Sequence, residues 1–362
     1  PLPPLPRALC EVPSAEIADT RGRRGARLAG AALTAGGFLS LLWSDSVPDF
    51  GLYEIMLGVG FSLISGADLA LLYDTEVYLQ EQEAEGSAGP GKSLSRLISV
   101  EAAASGIAGL VTGVLLLWSL DAVVLVQAFT GLVPLLLGLT LVEAPRPARE
   151  TDHRENARHI VELLLFGRPV VFWTAFAITV FGLLAVYVFW IYQKYWELQQ
   201  IPLALYGYIW AAFALTVSLA ARYSAALEQR LGTRGVLCLI ALLPVLGLLG
   251  MALGGGWVGV MFGFAIQVSR GLSMSLFYEA LNRRVPGDFR ATVNSLVSLA
   301  VRAVFIVTGP LLGFTLDRYG MTPTLLGLAV VFTPLMGAVL VPLVWRIRRE
   351  PPEREVGATA PA

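Results

Sequence analysis

Apolar runs of roughly 18 to 26 residues recur along this chain with only short polar breaks, and a run of that length is what crosses a hydrocarbon layer ~30 Å thick as a helix. Ten are read, at about 26–43, 50–73, 97–118, 120–142, 169–192, 204–223, 235–253, 256–279, 291–316 and 321–345. With no water in the bilayer core to bond backbone groups, only helices and closed barrels can span it. A spanning strand needs only about ten residues, and Gly and Ser are frequent inside these runs, where they let helices approach closely. The pattern predicts an all-α integral membrane protein with ten spans.

Composition agrees and removes other classes. Hydrophobic residues make up 56% of the chain and charged residues 15%, too apolar a mixture for an ordinary soluble globule. A net charge of -1 gives no basic footprint for nucleic acid. Cys10 and Cys238 lack a neighbouring thiol partner, and the two histidines, His153 and His159, lie together in the most polar stretch. No apolar segment contains histidine, so neither a His-dependent nucleophile nor a metal cluster is predicted. The expectation is no enzyme and no cofactor.

Lysine and arginine in alternate loops set the orientation, because cytoplasmic loops keep positive charge. One side takes Arg7, Arg21, Arg23, Arg24, Arg27, Lys92 and Arg96, then Arg146, Arg149, Arg154, Arg158 and Arg168. The same side takes Arg222, Arg230, Arg234, Arg283, Arg284, Arg290, Arg346, Arg348, Arg349 and Arg354, against only Lys194 and Arg318 on the other. Both termini are therefore expected in the cytoplasm.

The longest connection, 143–168, ends in HIVELLLF, which can lie on the membrane surface as an amphipathic helix. It separates an N-terminal bundle, 1–142, from a C-terminal bundle, 169–346, with a cytoplasmic tail at 347–362. The two parts resemble each other: GVGFSLISGADLALLYD, Gly58 to Asp74, aligns with GFAIQVSRGLSMSLFYE, Gly263 to Glu279. GRRG at Gly22 to Gly25 corresponds to GTRG at Gly232 to Gly235, and VTG recurs at Val111 and Val307. Internal repeats of this weak kind mark transporter folds. Four spans before the connection and six after it predict that two further helices belong at the front, an expectation that the opening Pro1 fits.

The loop EVPSAEIADTRGRRGARL, Glu11 to Leu28, resembles the signature between the second and third helices of the major facilitator superfamily, carried here by Ala18, Asp19, Gly22, Arg23 and Arg24. It departs from that signature at Ala15, where glycine is usual, and at Thr20, where a basic residue is usual. RGLSMSLFYEALNRRVPGDFRATVNSL, Arg270 to Leu296, is similar to the tenth and eleventh helices of bacterial members. The resemblance implies two pseudo-symmetric bundles around a central cavity, with the ten spans as the third to twelfth of twelve. It also implies a permease that moves a small solute by alternating access, a monomer in the plasma (bacterial inner) membrane. Glu54 stands where proton-coupled drug exporters carry arginine, so drug or metabolite efflux is left open without being indicated.

Charges within a bilayer are costly unless they face water or a partner, which marks Asp68, Glu101, Arg270 and Arg302 as candidates for substrate or proton coupling. Arg270 suits an anionic group or a cross-cavity pair with Asp68, and a desolvated Asp68 or Glu101 suits a proton. A purely architectural ion pair is the other reading of the same residues. Gln267, Asn294, Tyr187 and Trp190 are uncharged candidates: the amides bind solute or bridge helices, and the rings edge the cavity or anchor at the interface. Tyr195 and Trp196 are read as interface anchors.

Asp74 is expected to pair with Arg23 or Arg24, and Glu279 with Arg230 or Arg234, forming a cytoplasmic gate. By the resemblance Asp19 completes it near Arg290, at the start of the eleventh helix, where the helix dipole favours a carboxylate. A transport-inactive sensor, or an inert fragment, on the same scaffold is the rival reading. Asp19→Asn is expected to slow solute uptake in vesicles while insertion is unaffected; unchanged uptake removes Asp19 from the gate.

Overall fold

A computed structural model describes residues 23–82, 90–142, 169–285 and 290–347. Among the described residues there are ten α-helices and no strand. They are α1 (Arg23–Ser40), α2 (Val47–Glu81), α3 (Pro90–Leu115), α4 (Leu120–Leu139) and α5 (Pro169–Leu198). There follow α6 (Tyr206–Arg222), α7 (Ser224–Gly254), α8 (Gly256–Arg284), α9 (Arg290–Tyr319) and α10 (Met321–Ile347). Eight are long and apolar enough to cross a membrane, and in α3 the apolar stretch is Ala104–Leu115. The amphipathic segment and the tail lie outside the described residues.

Each predicted span has its helix, but several helices run on past the apolar run. α2 continues to Glu81 and α8 to Arg284, while α7 begins at Ser224 where a loop was expected. Local hydrogen bonding marks other helix ends. At the start of α2, Ser46 N and Oγ donate to Asp49 Oδ2 at 3.0 and 2.5 Å, and Asp49 N donates back to Ser46 Oγ at 3.4 Å. That reciprocal cap satisfies otherwise orphaned amides and holds the Asp49 carboxyl below the usual carboxylate range. Ser119 accepts from Ala122 N at 3.0 Å to start α4, and Arg24 Nη2 donates to Leu139 O at 2.8 Å at its end.

The chain groups into two units, with α5, α6 and α9 each contributing residues to both. In the first unit (residues 1–150, 192–215 and 302–314), α1 packs along α2 and α4. There α3 meets α6 at backbone distance: a Cβ on Gly207 would collide with Gly109 O and stand 2.5 Å from Gly113 N. Gly109 and Gly113 lie one turn apart on α3, facing Gly207 and Ala211 one turn apart on α6, the small-residue geometry that lets backbones touch in lipid. The same unit holds an aromatic cluster in which Trp196 meets Tyr192, Tyr206, Trp210 and Phe213 at centroid distances of 5.8, 5.1, 5.5 and 5.8 Å.

In the second unit (residues 151–191, 216–301 and 315–362), α7 packs against α8 and α10. Pro244 inside α7 has no N–H, so the carbonyl four residues earlier, Ile240 O, loses its helical donor. Ser269 Oγ of α8 donates to that carbonyl at 2.7 Å, so a bond missing within one helix is made between two. α7 also breaks at Gly232, whose φ of +71° and ψ of 161° are non-helical and suit a residue without Cβ. Ser224 Oγ lies 2.8 Å from Ser275 Oγ, joining the first turn of α7 to α8.

Two outcomes follow from these contacts. Gly207→Leu is expected to lower the melting temperature in detergent by the equivalent of at least ~1–3 kcal/mol, with Leu215→Ala, on the exposed face of α6, near neutral as a control. Ser269→Ala is expected to cost ~1–3 kcal/mol because Ile240 O is left bare, and Pro244→Ala to restore most of that loss by returning the helical donor. Simple additivity of the two changes in a double-mutant cycle is the contrary result.

Candidate functional site

The polar residues of α8 form the best-defined group within an apolar helix. Gln267 is 3% exposed, and its Oε1 has no hydrogen-bond partner among the described residues. Arg270, half-buried, stands three residues later on the same side of the helix, about fourteen residues or roughly 20 Å from the start of α8. Gly271 follows Gln267 by one turn, and there α8 closes on α6: a Cβ on Gly271 would be 2.5 Å from Val217 O. Ser269 and Ser273 are buried beside them, but each donates to a backbone carbonyl, Ile240 O at 2.7 Å and Arg270 O at 3.0 Å. Gln267 alone of these three uncharged side chains keeps an unmet acceptor. A buried acceptor without a donor costs stability, which gives it the character of a group waiting for a ligand.

The other candidates lie on α2, α3, α5 and α9. Asn294 Nδ2 of α9 donates to Asn282 Oδ1 of α8 at 3.0 Å, so its amide bridges helices, while its own Oδ1 is buried without a partner among the described residues. Tyr187 is buried with its ring edge-on to Phe332, 5.8 Å away, and Trp190 is 40% exposed beside Phe189. Arg302 is half-buried on α9. Asp68 lies on α2 and Glu101 on α3, with side chains outside the described residues. No group of three or more His, Cys, Asp or Glu able to hold a metal occurs among the described residues.

At the arginine-rich ends, Glu279 pairs with Arg283 at 2.5 Å instead of with Arg230 or Arg234. The cause is the overrun of α8: because the helix continues to Arg284, a cation already sits at the favourable i,i+4 position. Arg230 and Arg234 are exposed, and Arg24 bonds the end of α4. Asp19 and the side chains of Arg23, Asp74 and Arg290 lie outside the described residues.

Tyr195 and Trp196 are 1% and 0% exposed, so they are core residues of the first unit and not interface anchors. The helical spacing of Tyr192 with Trp196, and of Tyr206 with Trp210 and Phe213, carries the signal for this cluster, because each set falls on one face. Trp196 Nε1 is buried without a partner among the described residues, an unmet group that the positions in the sequence did not reveal.

The sequence profile of the Major Facilitator Superfamily matches residues 3–304. No curated protein matches the chain in sequence. Among solved structures, a peptide transporter of the POT type superposes with a TM-score of 0.72 at 15% identity, covering 95% of this chain and 84% of that one. The nucleoside transporter NupG gives 0.70 at 12% identity, covering 95% and 88%, and a D-xylose-proton symporter gives 0.66 at 14%, covering 96% and 85%. At such identities the likeness is one of fold. The profile extends over most of the sequence and the fold agrees with it, so this chain belongs to the major facilitator superfamily of membrane transporters.

Proposed function

We propose that the protein is a proton-coupled permease that carries a small polar solute across the plasma membrane by alternating access. The observation that carries the solute-binding part is the unmet Oε1 of Gln267, 3% exposed, one helical turn from Arg270. An amide acceptor next to a guanidinium suits a solute that offers both a hydrogen-bond donor and an anionic group. Asp68 and Glu101 are the proposed proton carriers, since a carboxylate moved out of water is driven toward its neutral form. The description of one structural neighbour as a proton symporter supports that coupling by analogy of fold. In this reading Arg302, Asn294, Tyr187 and Trp190 contribute secondarily, and Asp19, Arg23, Arg24, Asp74, Arg230, Arg234, Glu279 and Arg290 belong to the cytoplasmic gate. Both termini are cytoplasmic and the working unit is a monomer.

A thermal-shift screen of solutes at two pH values identifies the ligand by mass action, a true ligand at about 100 times its Kd adding ~2.7 kcal/mol to the folded state. Counterflow and proton-driven accumulation in proteoliposomes then test transport itself. Gln267→Leu is expected to weaken apparent affinity about tenfold, ~1.4 kcal/mol, while leaving the melting temperature unchanged or raised, because it removes a buried unmet carbonyl. Loss of stability together with affinity would show Gln267 to be a helix bridge. Asp68→Asn or Glu101→Gln is expected to abolish accumulation driven by a pH gradient and to spare counterflow. Ligand binding with no flux in either assay would make the protein a sensor.

A further inference from the structure

The elbow between α6 and α7 combines features that the transport reading uses only in part, through Arg230 and Arg234 of the proposed gate. α6 ends at Arg222, which is exposed, and Tyr223 follows, 59% exposed. Ser224, buried, fixes the turn by donating to Ala221 O at 2.8 Å and by its contact with Ser275 Oγ. Ser224–Leu231 then forms two helical turns, set off from the rest of α7 by the break at Gly232. On these turns Tyr223, Leu227 and Leu231 recur every four residues along one face, with Leu231 49% exposed. At 100° per residue Arg230 falls within the same arc, and Arg234, just past the break, is exposed as well.

The arginines of this elbow outnumber its acidic groups. Its one carboxylate, Glu228, accepts from Thr233 Oγ1 at 2.8 Å, and none of Arg222, Arg230 and Arg234 forms an ion pair among the described residues. A short helix attached to the end of an apolar span, with a tyrosine and leucines interleaved with arginine, has the make-up of an interfacial helix: rings and alkyl chains enter the acyl boundary, and guanidinium groups stay at headgroup level. An acidic peptide would satisfy the arginines but would leave Tyr223 and Leu231 in water. We propose that the elbow, Arg222 to Arg234, is a docking site for anionic phospholipid headgroups at the arginine-rich face of the membrane, with Arg230 and Arg234 taking the phosphate. The site rests on the membrane reading but not on transport, so it is read out without flux.

The test uses the full chain, purified from membranes, with phosphatidylglycerol titrated against phosphatidylcholine and retained lipid counted by native mass spectrometry. Phosphatidylglycerol is expected to be retained in preference. Arg222→Gln, Arg230→Gln and Arg234→Gln together are expected to weaken it about 100-fold, at ~5-fold per charge, while the same three positions as lysine keep most of it. The lysine variant also separates charge from folding, and Tyr223→Ser, with all three cations intact, is expected to shorten lipid retention. Equal retention of the two lipids, wild-type retention by the glutamine variant, or displacement by an equal concentration of inorganic phosphate each overturns the proposal. So does a glutamine variant that loses an acidic protein or a second copy of the chain instead of lipid.

Discussion

Hydrocarbon offers a backbone nothing to bond to, and the contacts between these helices answer that constraint. The clearest case is Ile240 O, stripped of its helical donor by Pro244 and supplied with another by Ser269 of the neighbouring helix at 2.7 Å. The proline does not simply weaken α7. It creates an acceptor that only a correctly placed α8 can fill, and so specifies how the two helices register. Other hydroxyls within the helices, including Thr34, Ser62, Thr174 and Thr333, turn back onto carbonyls of their own helix. Against this background of satisfied hydroxyls, Gln267 and Asn294 keep buried oxygens with no hydrogen-bond partner among the described residues.

Fold class was legible from apolar run length alone, because the bilayer imposes one length on each crossing. The ends of the helices were not. Hydropathy reports where a helix leaves hydrocarbon, whereas its end is set by caps such as Ser46 with Asp49 and by breaks such as Gly232. The misplaced partner of Glu279 followed directly: with α8 taken to end at 279, Arg283 looked like loop, and a distant arginine was assigned in its place. A continuous helix would have suggested the i,i+4 pair at once.

The candidate site was legible in part. Gln267 and Arg270 were singled out because polar groups are expensive in an apolar helix, and the burial and unmet acceptor of Gln267 give that expectation a physical form. The aromatic residues at the end of α5 were misread because a belt at the membrane interface and a buried cluster share composition and differ only in facing. Tyr192 and Trp196 are one turn apart and stack at 5.8 Å with an interplanar angle of 15°, so they turn a single face inward toward the rings of α6. Periodicity, more than composition, held the information.

At the crossing of α3 and α6, Gly207 meets Gly109 and Gly113 at backbone distance, with the Tyr208 ring lying against Gly113. Most helix contacts are graded: a methyl more or less, or a change of rotamer, loosens or tightens them by degrees. At Gly207 there is no side chain to trim and no room to add one. The contact therefore has only two settings, closed at backbone distance or parted. Selection acting on this sequence can alter its strength only by altering residues elsewhere on the two helices.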